Sequence, residues 1–222
     1  YLISCVPNQK KLIFLFFFSV LLPNVLFSQN FLKTSGRNIL NQDGDTIVLR
    51  GIGLGGWMVQ EGYMMAPGGF SGTQFQIRDK ITDLIGFEET ERFYDNWLKN
   101  HVRKIDIDSM KSWGFNLVRV PIHYNLFTLQ IGNELYPGAY TEIEKGYTLL
   151  DSLLEWCKVN EMYMMIDLHA APGGQGYNAD ISDYDTSKYS LWESAANQDK
   201  TVELWKRLSQ RYKNEEWVAG YD

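Results

Sequence analysis

The sequence predicts an α/β fold built on a parallel sheet, and three observations carry that expectation. Apolar strand-like runs alternate with stretches of helical period, from LVRVPIHY at 117–124 through YMMIDLH at 163–169 to WVAGYD at 217–222. Strands separated by helices need crossover connections and therefore run parallel. Titratable residues stand at the C-terminal ends of these runs, Asp167 and His169 on one and His123 on another, which is where parallel α/β folds place their sites. A closed barrel and an open doubly wound sheet both satisfy this pattern. No internal repeat, low-complexity tract or linker divides the chain.

The elements follow in order. Lys10 and Lys11 precede the apolar run LIFLFFFSVLLP, and Ser28 stands before Gln29; a basic patch, a short apolar run and a small residue read as a secretory signal over 1–28. Pro23 interrupts the run, which is short against the ~20 residues a membrane span needs; a permanent anchor is the lesser alternative. NILNQDGDTIVLRG (38–51) reads as a hairpin with its turn at Asp43-Gly44 and a return strand over Ile47 to Leu49. GIGLGGWMVQEGYMMAPGGF (51–70) reads as a strand breaking into a long Gly-rich loop. Residues 88–112 are charged and helical in tendency, and Gly114 sits where a helix would end. Residues 141–158 carry Ile143, Tyr147, Leu150, Leu154 and Cys157 on one helical face. After the strand at 163–169 comes a polar loop of roughly thirty residues, longer than most connections and so a hint of function. Residues 198–213 read as a helix with Val202, Trp205, Leu208 and Tyr212 inward.

Composition narrows the function classes. The 222 residues are 45% apolar and 22% charged, with a net charge of −6, which gives no electrostatic reason to expect nucleic acid or anionic lipid as a partner. Of two cysteines, Cys5 precedes the apolar run and Cys157 stands alone after it, so no internal disulfide is expected in the mature part. Three histidines in unrelated contexts argue against a zinc site. The Gly51, Gly53, Gly56 pattern matches G-x-G-x-x-G, but the segment after it has no helical period, so the dinucleotide reading is weak. No Walker pattern or nucleophile-elbow serine is present.

The strand ends hold the chemistry. Alternation puts Asp167 and His169 on one side of their strand and Ile166 and Leu168 on the other. In the preceding strand, Arg119, Pro121 and His123 share one side, and Val118, Val120 and Ile122 share the other. An arginine in an apolar strand must meet a carboxylate or a solvated mouth. Beside a catalytic carboxylate it would keep that group ionised; a structural ion pair with Asp167 explains it as well. Trp57, Glu61, Tyr63, Tyr124, Tyr177 and Trp192 fall in expected loops. Such a mixture suits sugars, whose ring faces stack on aromatics while their hydroxyls meet carboxylates. Plain loop packing accounts for each of them singly. His101, between charged helical segments, is expected to be exposed.

Taken together, LRGIGLGGWMVQEG (49–62), MKSWGFNLVRVPIHY (110–124), MMIDLHAAPGGQ (164–175) and ELWKRLSQRY (203–212) with WVAGYD resemble glycoside hydrolase family 5. The likeness is greatest to its branch of exo-1,3-β-glucanases and cellulase-like enzymes, and it covers nearly all of 38–222. The resemblance implies a (β/α)8 TIM barrel, of which only about the first half is present, preceded by a short β-hairpin. Arg119 matches the family's arginine beside the nucleophile, and His169 its strand-end histidine; these are the expected catalytic-site residues. Glu61 matches an acidic substrate-binding position. Trp57, His123, Tyr124 and Trp192 complete the expected substrate-binding set, with His123 falling where some members have another residue. No metal or organic cofactor is implied.

The family's acid/base glutamate lies in an Asn-Glu-Pro motif expected a few residues after Asp222, and its nucleophile on the seventh strand. The expectation is therefore a signal at 1–28 and a C-terminally truncated catalytic domain at 29–222. That piece would be inactive, and with uncovered sheet edges poorly soluble alone. The whole protein is expected to be a secreted or periplasmic retaining β-glycosidase of a β-glucan-type polysaccharide, monomeric and without stable membrane association once the signal is cleaved. Two alternatives stay open: a non-catalytic carbohydrate-binding protein on a decayed barrel, and a nucleotide-dependent oxidoreductase on an open sheet.

Overall fold

The computed structural model describes residues 31–65 and 72–222. The signal-like segment and part of the Gly-rich loop lie outside the described residues. Two short strands, β1 (Lys33–Ser35) and β2 (Asn38–Leu40), open the chain as an antiparallel pair. The turn at Asp43-Gly44 forms, but its return is one bridge between Leu40 and Thr46, not a strand over 47–49. The hairpin proper is the pair before it, turned at Gly36, whose φ of 59° suits glycine.

The main sheet has four parallel strands in sequence order: β3 (Gly51–Gly53), β4 (Leu117–His123), β5 (Tyr163–Ala170) and β6 (Val218–Tyr221). Val118 pairs with Met164 and Val120 with Ile166, and all four side chains are fully buried. This apolar side of the sheet packs on α5 (Glu144–Val159) and α7 (Ala195–Tyr212), which contribute Leu150, Leu154, Cys157, Leu204 and Leu208 to one continuous core. Arg119, Asp167 and His169 alternate to the opposite side, as expected for a period of two.

The connection from β3 to β4 is richer than the sequence reading. It holds α1 (Gly62–Met65), α2 (Gln74–Ile85), α3 (Phe87–Asn100) and α4 (Lys104–Ser112). Thr73 and Gln76 form a capping box that starts α2. Gly86, at φ 81°, separates it from α3, whose first turn carries Glu88 and Glu89 at the positive end of the helix dipole. Gly114 follows α4 at φ 89°, as its expected role as a helix terminator requires. In α7 Leu208 and Tyr212 are buried as expected, together with Leu204; Val202 is 52% exposed, which corrects its expected placement, while Trp205 packs at the margin of the core. Ser194 caps this helix by accepting from the Asn197 N–H, so it starts at Ala195, three residues before the expected 198. Among the described residues no helix is long and apolar enough to cross a membrane.

Candidate active site

Arg119 and His169 meet on one carboxylate. Arg119 Nη2 lies 2.9 Å and His169 Nδ1 2.8 Å from Asp167 Oδ2. The pairing follows from the ladder, in which Arg119 stands opposite Met165 and Pro121 opposite Asp167 on adjacent parallel strands. The Asp167 side chain is only 6% exposed, and burying a charge to that degree requires partners of opposite sign. Arg119 Nε also reaches Asp222 Oδ2 at 2.9 Å. Asp222 is held there because its N–H donates to the Ile166 carbonyl and its own carbonyl accepts from the Leu168 N–H.

His169 is flanked by carboxylates on both ring nitrogens, with Glu61 Oε1 3.6 Å from Nε2. The bond to Asp167 holds the imidazole above its ordinary pKa; burial and Arg119 pull the other way, and Glu61 adds to the rise. Glu61 itself is buried. Its charge raises the exposed Tyr63 phenol beside it. The loop after β5 is tied to the same spot by Gln175, which donates to the carbonyls of Leu168 and His169 and accepts from the Ala171 N–H. Two glycines let the chain turn there. At Gly173, with φ 82°, an added Cβ would stand 2.2 Å from Asn197 Nδ2.

The other expected substrate residues separate. Trp57 is 2% exposed and its indole N–H donates to the Leu98 carbonyl. It is a core residue, and its assignment as a sugar-stacking surface is corrected: no ring face is free. His123 leaves the Arg119 group. It is 1% exposed and its Nε2 lies 2.8 Å from Asp183 Oδ2. The reason is a slip in the ladder, which aligns His123 with Ala170 and leaves an extra residue on β5. Tyr124, stacked on His123 with ring centroids 4.9 Å apart, is largely buried and borders a cavity of about 430 Å³ shared with Asn133, Asp185 and Tyr189. Trp192 is 70% exposed, and its indole N–H donates to the Gln175 carbonyl, which fixes the ring beside the β5 loop. Tyr63 and Tyr177 are exposed, as is His101, which stacks on Trp97. Asp167, Gln175 and Asp222 are site residues the sequence reading did not select; the strand-alternation argument already placed Asp167 on the site side. No group of His, Cys, Asp and Glu among the described residues could hold a metal ion.

The arrangement gathers acidic and basic groups at the C-terminal ends of parallel strands, with an exposed indole nearby. That can hold hydroxyl-rich ligands and fix the charge of a neighbouring carboxylate. The chain is 37% identical over 193 residues to a beta-xylosidase of Phanerodontia chrysosporium, covering 86% of this chain and 38% of the relative. It is 28% identical over 195 residues to glucan 1,3-beta-glucosidase 2 of Saccharomyces cerevisiae, covering 77% and 34%. It thus spans about a third of the length of these relatives. In fold it resembles the rutinosidase from Aspergillus niger, with a TM-score of 0.58 at 18% identity, over 78% of this chain and 46% of that one. The four strands with their helices are accordingly part of a (β/α)8 barrel with a short hairpin in front. The family model for cellulase (glycosyl hydrolase family 5) matches residues 71–221, and the chain belongs to that family.

Proposed function

We propose that the protein containing this chain is a secreted, retaining β-glycosidase acting on a β-glucan-type polysaccharide. The observation that carries the proposal is the continuous Glu61–His169–Asp167–Arg119 network at the strand ends. Family membership supports the reading, as do relatives named for β-xyloside and 1,3-β-glucan hydrolysis. Retaining glycosidases use two carboxyl groups about 5 Å apart, one as nucleophile and one as acid/base. In this proposal the family's two glutamates follow Asp222, and residues 29–222 alone turn over nothing. Glu61 accepts hydrogen bonds from sugar hydroxyls, and Trp192 offers a ring face. His169 stands between the two carboxylates, with Asp167 facing one ring nitrogen and Glu61 the other. Arg119 supplies the positive charge that keeps the nucleophile ionised. Neither metal nor organic cofactor takes part.

The test is hydrolysis of β-1,3-glucan, carboxymethylcellulose and xylan by the full-length protein, with the anomeric configuration of the first product read by proton NMR. Release of β-configured product from one of these is expected. Absence of turnover on all three, or an initial α product, refutes the proposal. Export is checked by N-terminal sequencing of secreted protein, with Gln29 as the expected first residue.

A further inference from the structure

We propose that Asp183, on the long loop after β5, is a positioning residue that holds Glu61 in place from outside the site. The proposal rests on the reading of Glu61 as a sugar-holding group. Asp183 is nine-tenths buried and binds two other parts of the chain at once. Its Oδ2 accepts from His123 Nε2 at the end of β4, and its Oδ1 accepts from the Phe75 N–H, 2.9 Å away, in the first turn of α2. The Thr73 side chain, which caps α2, also bonds to it. The His123 tautomer is fixed by the far side of its ring: Nδ1 accepts the Asn125 N–H, so Nε2 carries the proton. The contact is thus a carboxylate gripping an imidazole N–H and a helix start.

From that helix start the hold passes to Glu61. Gln74, between Thr73 and Phe75, accepts the Gln60 N–H at 2.8 Å through its Oε1. Gln60 is the residue before Glu61, and its own side-chain oxygen accepts from the Tyr94 hydroxyl. A second route runs parallel to the first: α6 (Ala179–Ser182), which ends at Asp183, packs against α1, which begins one residue after Glu61. Asp183 also has a left-handed backbone, with φ 52°. Aspartate is one of the few non-glycine residues that adopt this conformation readily, and here it closes the single turn of α6.

The readout is the imidazole of His169, which faces Glu61, Asp167 and Arg119. The experiment follows its titration by NMR in the full-length protein and in four variants: Glu61→Gln, Asp183→Ala, Gln74→Ala and Asp185→Ala. Glu61→Gln lowers the midpoint, because a carboxylate near Nε2 is lost. Asp183→Ala and Gln74→Ala are expected to lower it too, and to add nothing in the Glu61→Gln background. Asp185→Ala, on the same loop, leaves it unmoved. Kinetically, Asp183→Ala raises KM about tenfold, the scale of one lost hydrogen bond to the sugar, with kcat changed less than about threefold.

A midpoint unmoved by Glu61→Gln, unmoved by both remote variants, or lowered additively in the double variants overturns the proposal. Should Asp183→Ala fail to fold, Gln74→Ala decides by the same criteria. Absence of glycan turnover by the parent protein would defeat the functional reading while leaving the titration result intact.

Discussion

Replacing Asp167 with asparagine removes the charge that Arg119 and His169 share and leaves the side-chain shape nearly unchanged. Breaking a fully buried ion pair by removing one partner costs about 3–5 kcal/mol. Here Arg119 is 39% exposed and keeps Asp222 at 2.9 Å, so solvent screening and the second carboxylate reduce the expected loss to about 2 kcal/mol. For a chain of this size that is a fall of about 4–8 °C in Tm. The loss is also pH-dependent. His169 is raised above its ordinary 6.5 mainly by Asp167. A raised group contributes stability that is fully present below the unfolded value and is lost as the pH climbs through the folded one. The gap between the parent protein and the Asp167→Asn variant should therefore be wider near about pH 6 than near about pH 9. Urea denaturation of both proteins at the two pH values measures it. A difference under about 0.5 kcal/mol, or one of equal size at both, refutes the assignment of Asp167 as the shared anchor.

Three further outcomes follow from named contacts. Gly173→Ala forces a Cβ to 2.2 Å from Asn197 Nδ2 at a φ of 82°; left-handed strain and overpacking together should cost about 2–4 kcal/mol by chemical denaturation. Lys200 and Glu134 form a buried ion pair, so Lys200→Met should cost about 3–5 kcal/mol, part of it recovered by adding Glu134→Gln. Burial alone would raise Glu134, but Lys200 and Thr141 hold it at about 2 against an ordinary 4.5. The pair's contribution is therefore complete above 4.5 and fades as acid titration passes down towards 2. Burial pushes the Cys157 thiol up to about 12, and a disulfide reagent at about pH 8 should not label it until the protein unfolds.

The sheet was legible in the sequence because its signal is local. Val118, Val120 and Ile122 alternate with Arg119 within one strand, and Met164, Ile166 and Leu168 do the same in the next, so a period of two assigns both faces. The meeting of Arg119 and His169 followed from that parity. What escaped depended on distant partners. Trp57 in a glycine-rich loop reads as a ligand-facing ring, and only the Leu98 carbonyl, forty-one positions on, makes it a core residue. The sequence reading assigns no element to QFQIRDKITDLI, yet the capping box and packing against α3 make it α2. Asp183 is one acidic residue among several in a polar loop; its partner His123 is sixty residues away. No local pattern points from one to the other.

The slip between β4 and β5 bears on how the two histidines are used. With the ladder in step, His123 would stand opposite His169 at the strand spacing of about 4.8 Å, and the two rings would crowd one set of partners. The extra residue puts Ala170 across from His123 instead. One ring is left as a fixed link between Asp183 and the Asn125 N–H, and the other stands between Asp167 and Glu61. A single inserted position thus gives one imidazole to the loop and helix that frame the site and the other to the site itself.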